Sequence, residues 1–250
     1  MAITAQMVKE LRLKTGAGMM DCKKALKETD GNMEAAIDFL RKKGLSSAAK
    51  KAGRSTNEGV IKVLIQDEKA IILEMNCETD FVARTDDFLG AVDAIAQKML
   101  DGNIEDTENL PTEIDDIRKA AIGKLGENMT IARAQILNKE ENDMFAEYIH
   151  MGGKIGVLVQ FEVAAAANEE AMQEAGKNVA MHIAATAPLA VTQADIDAEV
   201  VEKEKNIYRE QGKNEGKPEH IVEKIIVGRL KKYFAEVCLV EQQYVKNPDQ

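Results

Sequence analysis

The chain has 250 residues, of which 45% are hydrophobic and 4% are aromatic, and its formal net charge at pH 7 is -10. This length and composition suffice to bury a core, so we expect a folded protein with an aliphatic, largely helical interior. No uncharged apolar run is long enough to cross a bilayer, and the first residues carry Lys9, Glu10 and Arg12 where a signal peptide would be apolar. The sequence therefore predicts a cytoplasmic protein with no membrane association.

The charge is unevenly distributed along the chain. Residues 1–55 hold 12 Lys and Arg against 6 Asp and Glu, a net of +6, whereas residues 56–250 hold 21 against 37, a net of -16. The basic side chains of the first part cluster at Arg41, Lys42, Lys43, Lys50, Lys51 and Arg54. They could attract RNA, but no RNA-recognition aromatic motif accompanies them. A solvated face that complements a helix C-terminus is the interpretation we favour.

Three short helices are predicted at the start of the chain. The first spans residues 4–15 and stops at Gly16, and the second spans residues 20–28. Asn32 is a candidate N-cap for the third helix, which we expect to close at Gly44. The apolar positions expected to face inward are Met7, Val8, Leu11, Ala36, Ile37 and Leu40. The pattern predicts a compact helical unit, followed by an Ala-, Lys- and Ser-rich linker over residues 46–57, with a helix as the alternative for its first part.

Two Val- and Ile-rich strands are predicted next, over residues 59–65 and 70–77, and the second reads as a strand buried on both faces. The stretch NCETDFVAR at residues 76–84 follows. We predict an extended, presented loop, in which Asp80 and Phe81 project in different directions and are suited to insertion into a partner. The alternative is ordinary core packing of Phe81 and Val82, with Thr79 or Asp80 capping the next helix.

The remaining pattern predicts an α+β fold with helices on one face of antiparallel sheets. Helices are predicted over residues 86–101, 111–125 and 169–185, and strands over residues 129–137, 144–150 and 154–163. Gly126 is a candidate left-handed C-cap. A helix that opens at Thr192 and a second that opens at Pro218 should form a projecting antiparallel hairpin.

Sequence motifs for bond-making chemistry are absent. The chain contains no GxxxxGK[ST], GxSxG or HExxH motif, and its three histidines lack metal-ligand spacing. Cys22, Cys77 and Cys238 are widely spaced and predict reduced thiols. We therefore expect neither an enzyme nor a cofactor. His182 is expected to be a satisfied core histidine, and His150, next to a Gly-Gly turn, is better placed for surface recognition.

Four sequence blocks carry a family resemblance. They are ETDFVAR at residues 78–84, TGAGMMDCKKAL at residues 15–26, KLGEN at residues 124–128 and IGVLV at residues 155–159. In their order along the chain, these blocks resemble the bacterial elongation factor Ts family, the guanine nucleotide exchange factors of elongation factor Tu. The resemblance covers nearly all of the chain. It ends where other members continue into a further strand and helix, which puts contacts of that terminal module in doubt.

The resemblance implies an architecture. It implies a ubiquitin-associated-like helical domain with linker over residues 1–55 and a core N-subdomain over residues 56–140. It also implies a core C-subdomain over residues 141–191 and 235–250 and a coiled-coil hairpin over residues 192–234.

The resemblance also implies a function: binding to elongation factor Tu and promotion of GDP release, without direct nucleotide binding. It leaves open a higher-order complex with two copies of each partner. Asp80 and Phe81 would wedge near the partner's magnesium site. The implied partner-binding residues are Met19, Met20, Lys23, Thr79, Asp80, Phe81, Val82, Leu125, Gly126 and His150. From the residues alone, core packing of the two methionines is the simpler interpretation. The alternative function is a ubiquitin-associated-like adaptor that binds RNA or an acidic protein.

Overall fold

The computed structural model of the protein describes residues 3–15, 17–164 and 168–247, apart from the side chains of residues 45–47. The helices are α1 Ala5–Thr15, α2 Met19–Glu28, α3 Met33–Lys51, α4 Asp80–Ala83, α5 Asp86–Gly102, α6 Thr112–Leu125, α7 Glu169–Thr186, α8 Ala198–Asn214 and α9 Glu219–Val237. The strands are β1 Glu58–Ile65, β2 Lys69–Cys77, β3 Met129–Asn138, β4 Asp143–His150 and β5 Ile155–Glu162. All strand pairings within the sheets are antiparallel, which confirms the predicted α+β class.

The chain divides into two compact units, Met1–Gln173 and Glu174–Gln250. The first unit contains helices α1 to α6 and all five strands, and the second contains most of α7 together with α8 and α9. The domain boundaries expected near residues 55, 140, 191 and 234 stay predictions. Among the helices formed by the described residues, none combines the length and apolar character that a membrane crossing requires.

The first three helices pack around a small core of their own. Its buried members are Val8, Leu11, Cys22, Ala25, Leu26 and Ala36. Asn32 is the N-cap of α3, as predicted, because its side-chain oxygen accepts the Ala35 N–H at 3.0 Å. The first helix ends at Thr15, and the predicted stop at Gly16 lies outside the described residues.

The predicted end of α3 at Gly44 is wrong, since the helix continues to Lys51. The reason is tertiary: α3 packs closely against α6, and a Cβ added at Gly123 would lie 3.0 Å from the Gly44 Cα. Gly44 therefore allows two helices to approach each other and does not end one. The first part of the predicted linker, residues 46–51, is accordingly helical.

This glycine contact predicts an unequal response to helix-stabilising substitutions. Gly90 of α5 has open space where a Cβ would be, so we expect Gly90→Ala to raise the free energy of unfolding by about 0.5 to 1 kcal/mol. Gly123→Ala offers the same gain in helix propensity, but it must push α3 away from α6. Urea unfolding should therefore place Gly123→Ala clearly below Gly90→Ala in stability, and equal stabilisation by both would contradict the contact.

The larger sheet has the order β1-β2-β3, with β2 in the centre. The side chains of β2 alternate: Ile71, Leu73, Met75 and Cys77 are fully buried, whereas the residues between them are only half-buried. The expectation that β2 is buried on both faces is therefore wrong. Its run of aliphatic residues arises because the second face is partly covered as well. Helices α5 and α6 supply the rest of this core, mainly through Phe88, Val92, Ile95, Met99, Ile114 and Ile122.

The smaller sheet pairs β4 with β5, from Asp143 opposite Glu162 to His150 opposite Ile155. Its turn is attached to the larger sheet, because the Ile61 N–H of β1 donates to the Gly153 carbonyl at 2.7 Å. Gly153 has φ +96°, and a Cβ there would lie 2.9 Å from the Val60 Cβ. Only glycine fits this close approach, so the turn that follows His150 is fixed to the sheet.

The second unit contains a helical hairpin formed by α8 and α9, whose own apolar cluster centres on Val222, Ile226 and Leu230. The predicted helix start at Thr192 is wrong, since Thr192 caps a short 3-10 turn and α8 begins after the separate N-cap Asp197. His182 is buried as expected. Its Nε2 donates to Gln242 Oε1 at 3.0 Å and its Nδ1 accepts the Val245 N–H at 3.2 Å. The three cysteines are buried and unpaired.

Candidate partner-binding site

The stretch after β2 is a single helical turn, α4, and not the extended loop that the sequence predicted. Thr79 caps it, because its hydroxyl accepts the Val82 N–H at 3.4 Å. Thr85 then caps α5 by accepting the Phe88 N–H at 3.2 Å. Two successive caps leave room for only four helical residues between them. Side chains on this turn therefore diverge as they do around a helix, not to opposite sides of a strand.

The turn has one anchored side and one open side. Ala83 is buried, and Val82 is half-buried against the main core. Phe81 has 81% of its surface exposed, the largest exposed fraction among the exposed large hydrophobic residues that the structure describes. Core packing of Phe81, the alternative from the sequence, is wrong. Thr79 does act as a cap, but of α4, and the next predicted helix, α5, is capped by Thr85 instead. An aromatic side chain held open to solvent on an anchored turn is typical of an interaction site.

Asp80 lies beside Phe81 and pairs with Arg84 at 2.9 Å, one helical turn away. Both side chains are substantially exposed. An exposed ion pair of this kind contributes little to stability and separates easily. The Asp80 carboxylate is therefore available to a partner, although Arg84 competes for it.

A reciprocal set of hydrogen bonds, which we call the carboxylate clasp, joins Glu78 and Thr79 to Glu127 and Asn128. Glu127 Oε2 accepts the backbone N–H groups of Glu78 at 3.1 Å and Thr79 at 3.0 Å, and Glu127 Oε1 accepts the Thr79 hydroxyl at 2.6 Å. In return, Glu78 Oε1 accepts the Asn128 N–H at 2.6 Å. This bond is the largest cause of the lowered pKa of Glu78, with Arg54 contributing.

The carboxylate clasp was not predicted from the sequence. Of the KLGEN block, Leu125 and Gly126 were predicted as site residues, whereas Glu127 and Asn128 were not. Gly126 is the left-handed C-cap that was predicted, with φ +83°, and Leu125 is half-buried against the main core. The sequence did contain a signal for this contact: Glu127 directly follows the helix C-cap Gly126, and a carboxylate at such a position can accept N–H groups from a neighbouring loop.

Cys77 directly precedes Glu78 of the carboxylate clasp. Its Sγ is 3.2 Å from the Thr79 carbonyl oxygen, to which it donates. Burial raises the pKa of this thiol to about 11, and the nearby Glu127 carboxylate adds to the effect. The thiol is therefore neutral at physiological pH, where it serves as a hydrogen-bond donor and not as a nucleophile.

The predicted residues on α2 lie on its exposed face. Met19 and Met20 have 60% and 73% of their surfaces exposed, and Lys23 is also exposed. Core packing of these methionines is therefore wrong. Helix α2 packs with α1 and α3, whereas α4 packs with β1, β2 and α5, so different elements carry these two sets of predicted residues.

His150 is exposed at the end of β4. Its Nδ1 is 3.0 Å from the Tyr148 hydroxyl, and the two rings stack with centroids 5.8 Å apart. Met151, in the turn that follows, has 71% of its surface exposed and was not predicted. The ordered imidazole beside an exposed methionine makes this end of the small sheet a second exposed recognition surface.

The basic cluster of residues 41–54 forms ion pairs within the protein. Arg41 pairs with Asp116, Lys43 with Asp21, and Arg54 with Glu78 at 3.3 Å. Carboxylates of the protein itself thus pair with these three basic side chains, and the solvated face that complements a helix C-terminus stays a prediction. Among the residues that the structure describes, no three His, Cys, Asp or Glu side chains are grouped to hold a metal ion.

A family model described as Elongation factor TS matches residues 78–250. The chain is also 48% identical over 256 residues to proteins named Elongation factor Ts from Clostridium perfringens strains SM101, ATCC 13124 and 13. Each alignment covers 99% of this chain and 84% of the relative. The chain belongs to the elongation factor Ts family.

The matched ranges include the candidate site of this elongation factor Ts family member. The family model begins at Glu78, so it includes α4, Glu127 and His150. The exposed residues of α2 lie before that range, within the region that the nearly full-length alignments cover. The recognition made from the four sequence blocks is therefore confirmed.

Proposed function

We propose that this protein binds elongation factor Tu and promotes the release of GDP, so that GTP can replace it during translation elongation. Membership of the elongation factor Ts family supports the activity. The observation that carries the proposal is Phe81, exposed on a short turn whose other side is anchored in the core. The protein acts in the cytoplasm, binds no nucleotide itself, and makes and breaks no covalent bonds.

The mechanism is a coupling between two binding events on the partner. Phe81 and Asp80 enter the partner near its magnesium site and weaken the coordination of magnesium and phosphate. Because such coupling is reciprocal, GDP must weaken the binding of this protein by the same factor that this protein weakens GDP. The complex consequently separates when a nucleotide rebinds, which allows one exchange factor to serve many partner molecules.

Three surfaces contribute to the proposed interface. They are the exposed face of α2 with Met19, Met20 and Lys23, the α4 region with Thr79, Asp80, Phe81, Val82, Leu125 and Gly126, and His150 at the end of β4. The exposure of Phe81 and the two methionines supports this assignment. Large, exposed apolar side chains are the residues that an interface desolvates with the greatest gain.

The finer architecture is part of the same proposal. Helices α1 to α3 form a ubiquitin-associated-like domain, two sheet-and-helix subdomains form the core, and α8 with α9 forms a coiled-coil arm. The separate buried clusters of the first three helices and of the hairpin support this division. An assembly with two copies of each partner is compatible with several separate contact surfaces.

The experiment that tests the function measures the release of labelled GDP from purified elongation factor Tu. Elongation factor Tu is first loaded with labelled GDP, and excess unlabelled GDP is then added. The loss of bound labelled GDP is followed at increasing concentrations of this protein. We expect the release rate to rise and then saturate as the complex forms. A release rate that stays at its spontaneous value at every concentration would contradict the proposed function.

The contribution of α2 predicts a binding defect in the double variant Met19→Ala, Lys23→Ala. Both side chains are exposed, so the folded protein should melt as the parent does. Loss of an apolar anchor and a charge should weaken binding to elongation factor Tu by about tenfold, the equivalent of 1.4 kcal/mol. Calorimetric titration measures the change.

A matched control for this variant exists on α1. Lys9 and Leu13 are exposed and have the same helical spacing, and Leu13 has 77% of its surface exposed. The double variant Lys9→Ala, Leu13→Ala should bind as the parent does. Equal loss of binding by both double variants, or by neither, would show that the α2 face makes no specific contact.

A further inference from the structure

We propose that Glu127 is a positioning residue, whose carboxylate sets the orientation of α4 and thereby the direction in which Phe81 is presented to the partner. This inference rests on the proposed exchange function. It assigns a role to a residue that does not itself belong to the proposed contact surface.

The short length of α4 makes an external support necessary. A helix of four residues cannot form stably by itself, since helix nucleation costs more than one turn of hydrogen bonds returns. Phe81 contributes no packing that could fix the turn, because most of its surface is in solvent. Val82 and Ala83 hold one side of the turn against the core, so the start of α4 still needs a separate attachment.

Glu127 supplies that attachment through three hydrogen bonds to two consecutive residues. Its two oxygens accept the backbone N–H groups of Glu78 and Thr79 and the side-chain hydroxyl of Thr79. Such bonds to an ionised acceptor are stronger than those between neutral groups. The Thr79 hydroxyl that donates to Glu127 is also the acceptor for the Val82 N–H inside α4. The orientation of the carboxylate is thus passed directly to the first turn of the helix.

The opposite half of the carboxylate clasp fixes Glu127 in its turn. The Asn128 N–H donates to Glu78, and the Asn128 side-chain amide donates to the Arg54 carbonyl at 2.9 Å. The backbone that carries Glu127 is therefore held from two directions. An acceptor on an unrestrained segment would let the turn rotate, whereas these bonds restrain the backbone beside Glu127. If Phe81 is already ordered in the free protein, less conformational entropy is lost when the partner binds.

The test compares Glu127→Ala, Glu127→Gln and Glu105→Ala in the full chain with elongation factor Tu. Glu127→Ala removes all three bonds and should lower the maximal GDP release rate by about tenfold. The protein concentration for half-maximal release should change by less than about threefold, because the remaining contact surfaces are intact. Glu127→Gln keeps one oxygen for the two N–H groups and can donate to the Thr79 hydroxyl, so it should retain most of the parental rate.

Glu105 provides the matched control, because its carboxylate accepts the backbone N–H of Ile136 in β3. Glu105→Ala removes one such bond, so it should lower the melting temperature without changing the maximal release rate. Release by Glu127→Ala at the parental maximal rate would overturn the proposal. Equal slowing by Glu105→Ala, or by Glu127→Gln, would overturn it too.

Failure of the proposed function is separately visible in the same experiment. A parent protein that leaves GDP release unchanged contradicts the exchange activity and not the role of Glu127. Hydrogen exchange at the Glu78 and Thr79 amides, which needs no partner, then tests the positioning role. Both amides should exchange faster in Glu127→Ala than in the parent, and unchanged protection would overturn the inference.

Discussion

Phe81→Ala should abolish most of the exchange activity while leaving the protein folded. The side chain is 81% exposed, so its removal takes little apolar surface from the core and the melting temperature should stay near that of the parent. At the partner interface, an aromatic anchor of this kind contributes about 2 to 4 kcal/mol, which corresponds to roughly 30- to 1000-fold in affinity or in coupling. The labelled-GDP assay measures the loss.

Asp80→Ala serves as an internal comparison for this result. We expect the same pattern in a weaker form, because Asp80 already pairs with Arg84 and must exchange that bond for one to the partner. Both variants should remain soluble and fold cooperatively. If Phe81→Ala releases GDP at the parental rate, Phe81 does not act as a wedge, whatever the family membership suggests.

Phe88→Ala should produce the opposite outcome on the neighbouring helix. Phe88 is fully buried in the main core, where it packs with residues of α5, α6 and the larger sheet. Truncation to alanine removes buried apolar surface and leaves a cavity, which costs about 3 to 5 kcal/mol of folding free energy. Denaturant unfolding measures the loss, which is a large part of the stability of an ordinary domain.

The two phenylalanine variants control for each other, since the chemical change is identical and only the environment differs. At a temperature where Phe88→Ala remains folded, its GDP release should approach the parental rate, because α4 and the carboxylate clasp are intact. A Phe88→Ala protein as stable as the parent would contradict the described core. Strong destabilisation by Phe81→Ala would instead place Phe81 in that core.

Much of the fold could be predicted because its signals are local. The positions of strands β1 and β2, the inward residues of α5 and the glycine that ends α6 each depend on neighbours within a few residues. The candidate site was located for a different reason. Its residues stand in a motif typical of one family, and the family was confirmed by a model match and by close relatives.

Some features could not be predicted because the deciding partners are distant in sequence. Gly44 has the character of a helix stop, yet its helix continues because α6 packs directly against it. The conformation of α4 depends on Glu127, almost fifty residues away, whose carboxylate reaches back to Glu78 and Thr79. Local propensity is weak enough for such contacts to override it.

The sequence by itself determined where most helices and strands lie and which residues of α5 face the core, and it carried the blocks that resemble one family. Periodicity and capping carry that information, since they act within one or two turns of the chain. Only the tertiary structure decided that Phe81 faces solvent on a helical turn and that Glu127 supports it. Exposure depends on which surfaces the rest of the fold covers, and a hydrogen bond between two loops exists only after the sheet has brought them together.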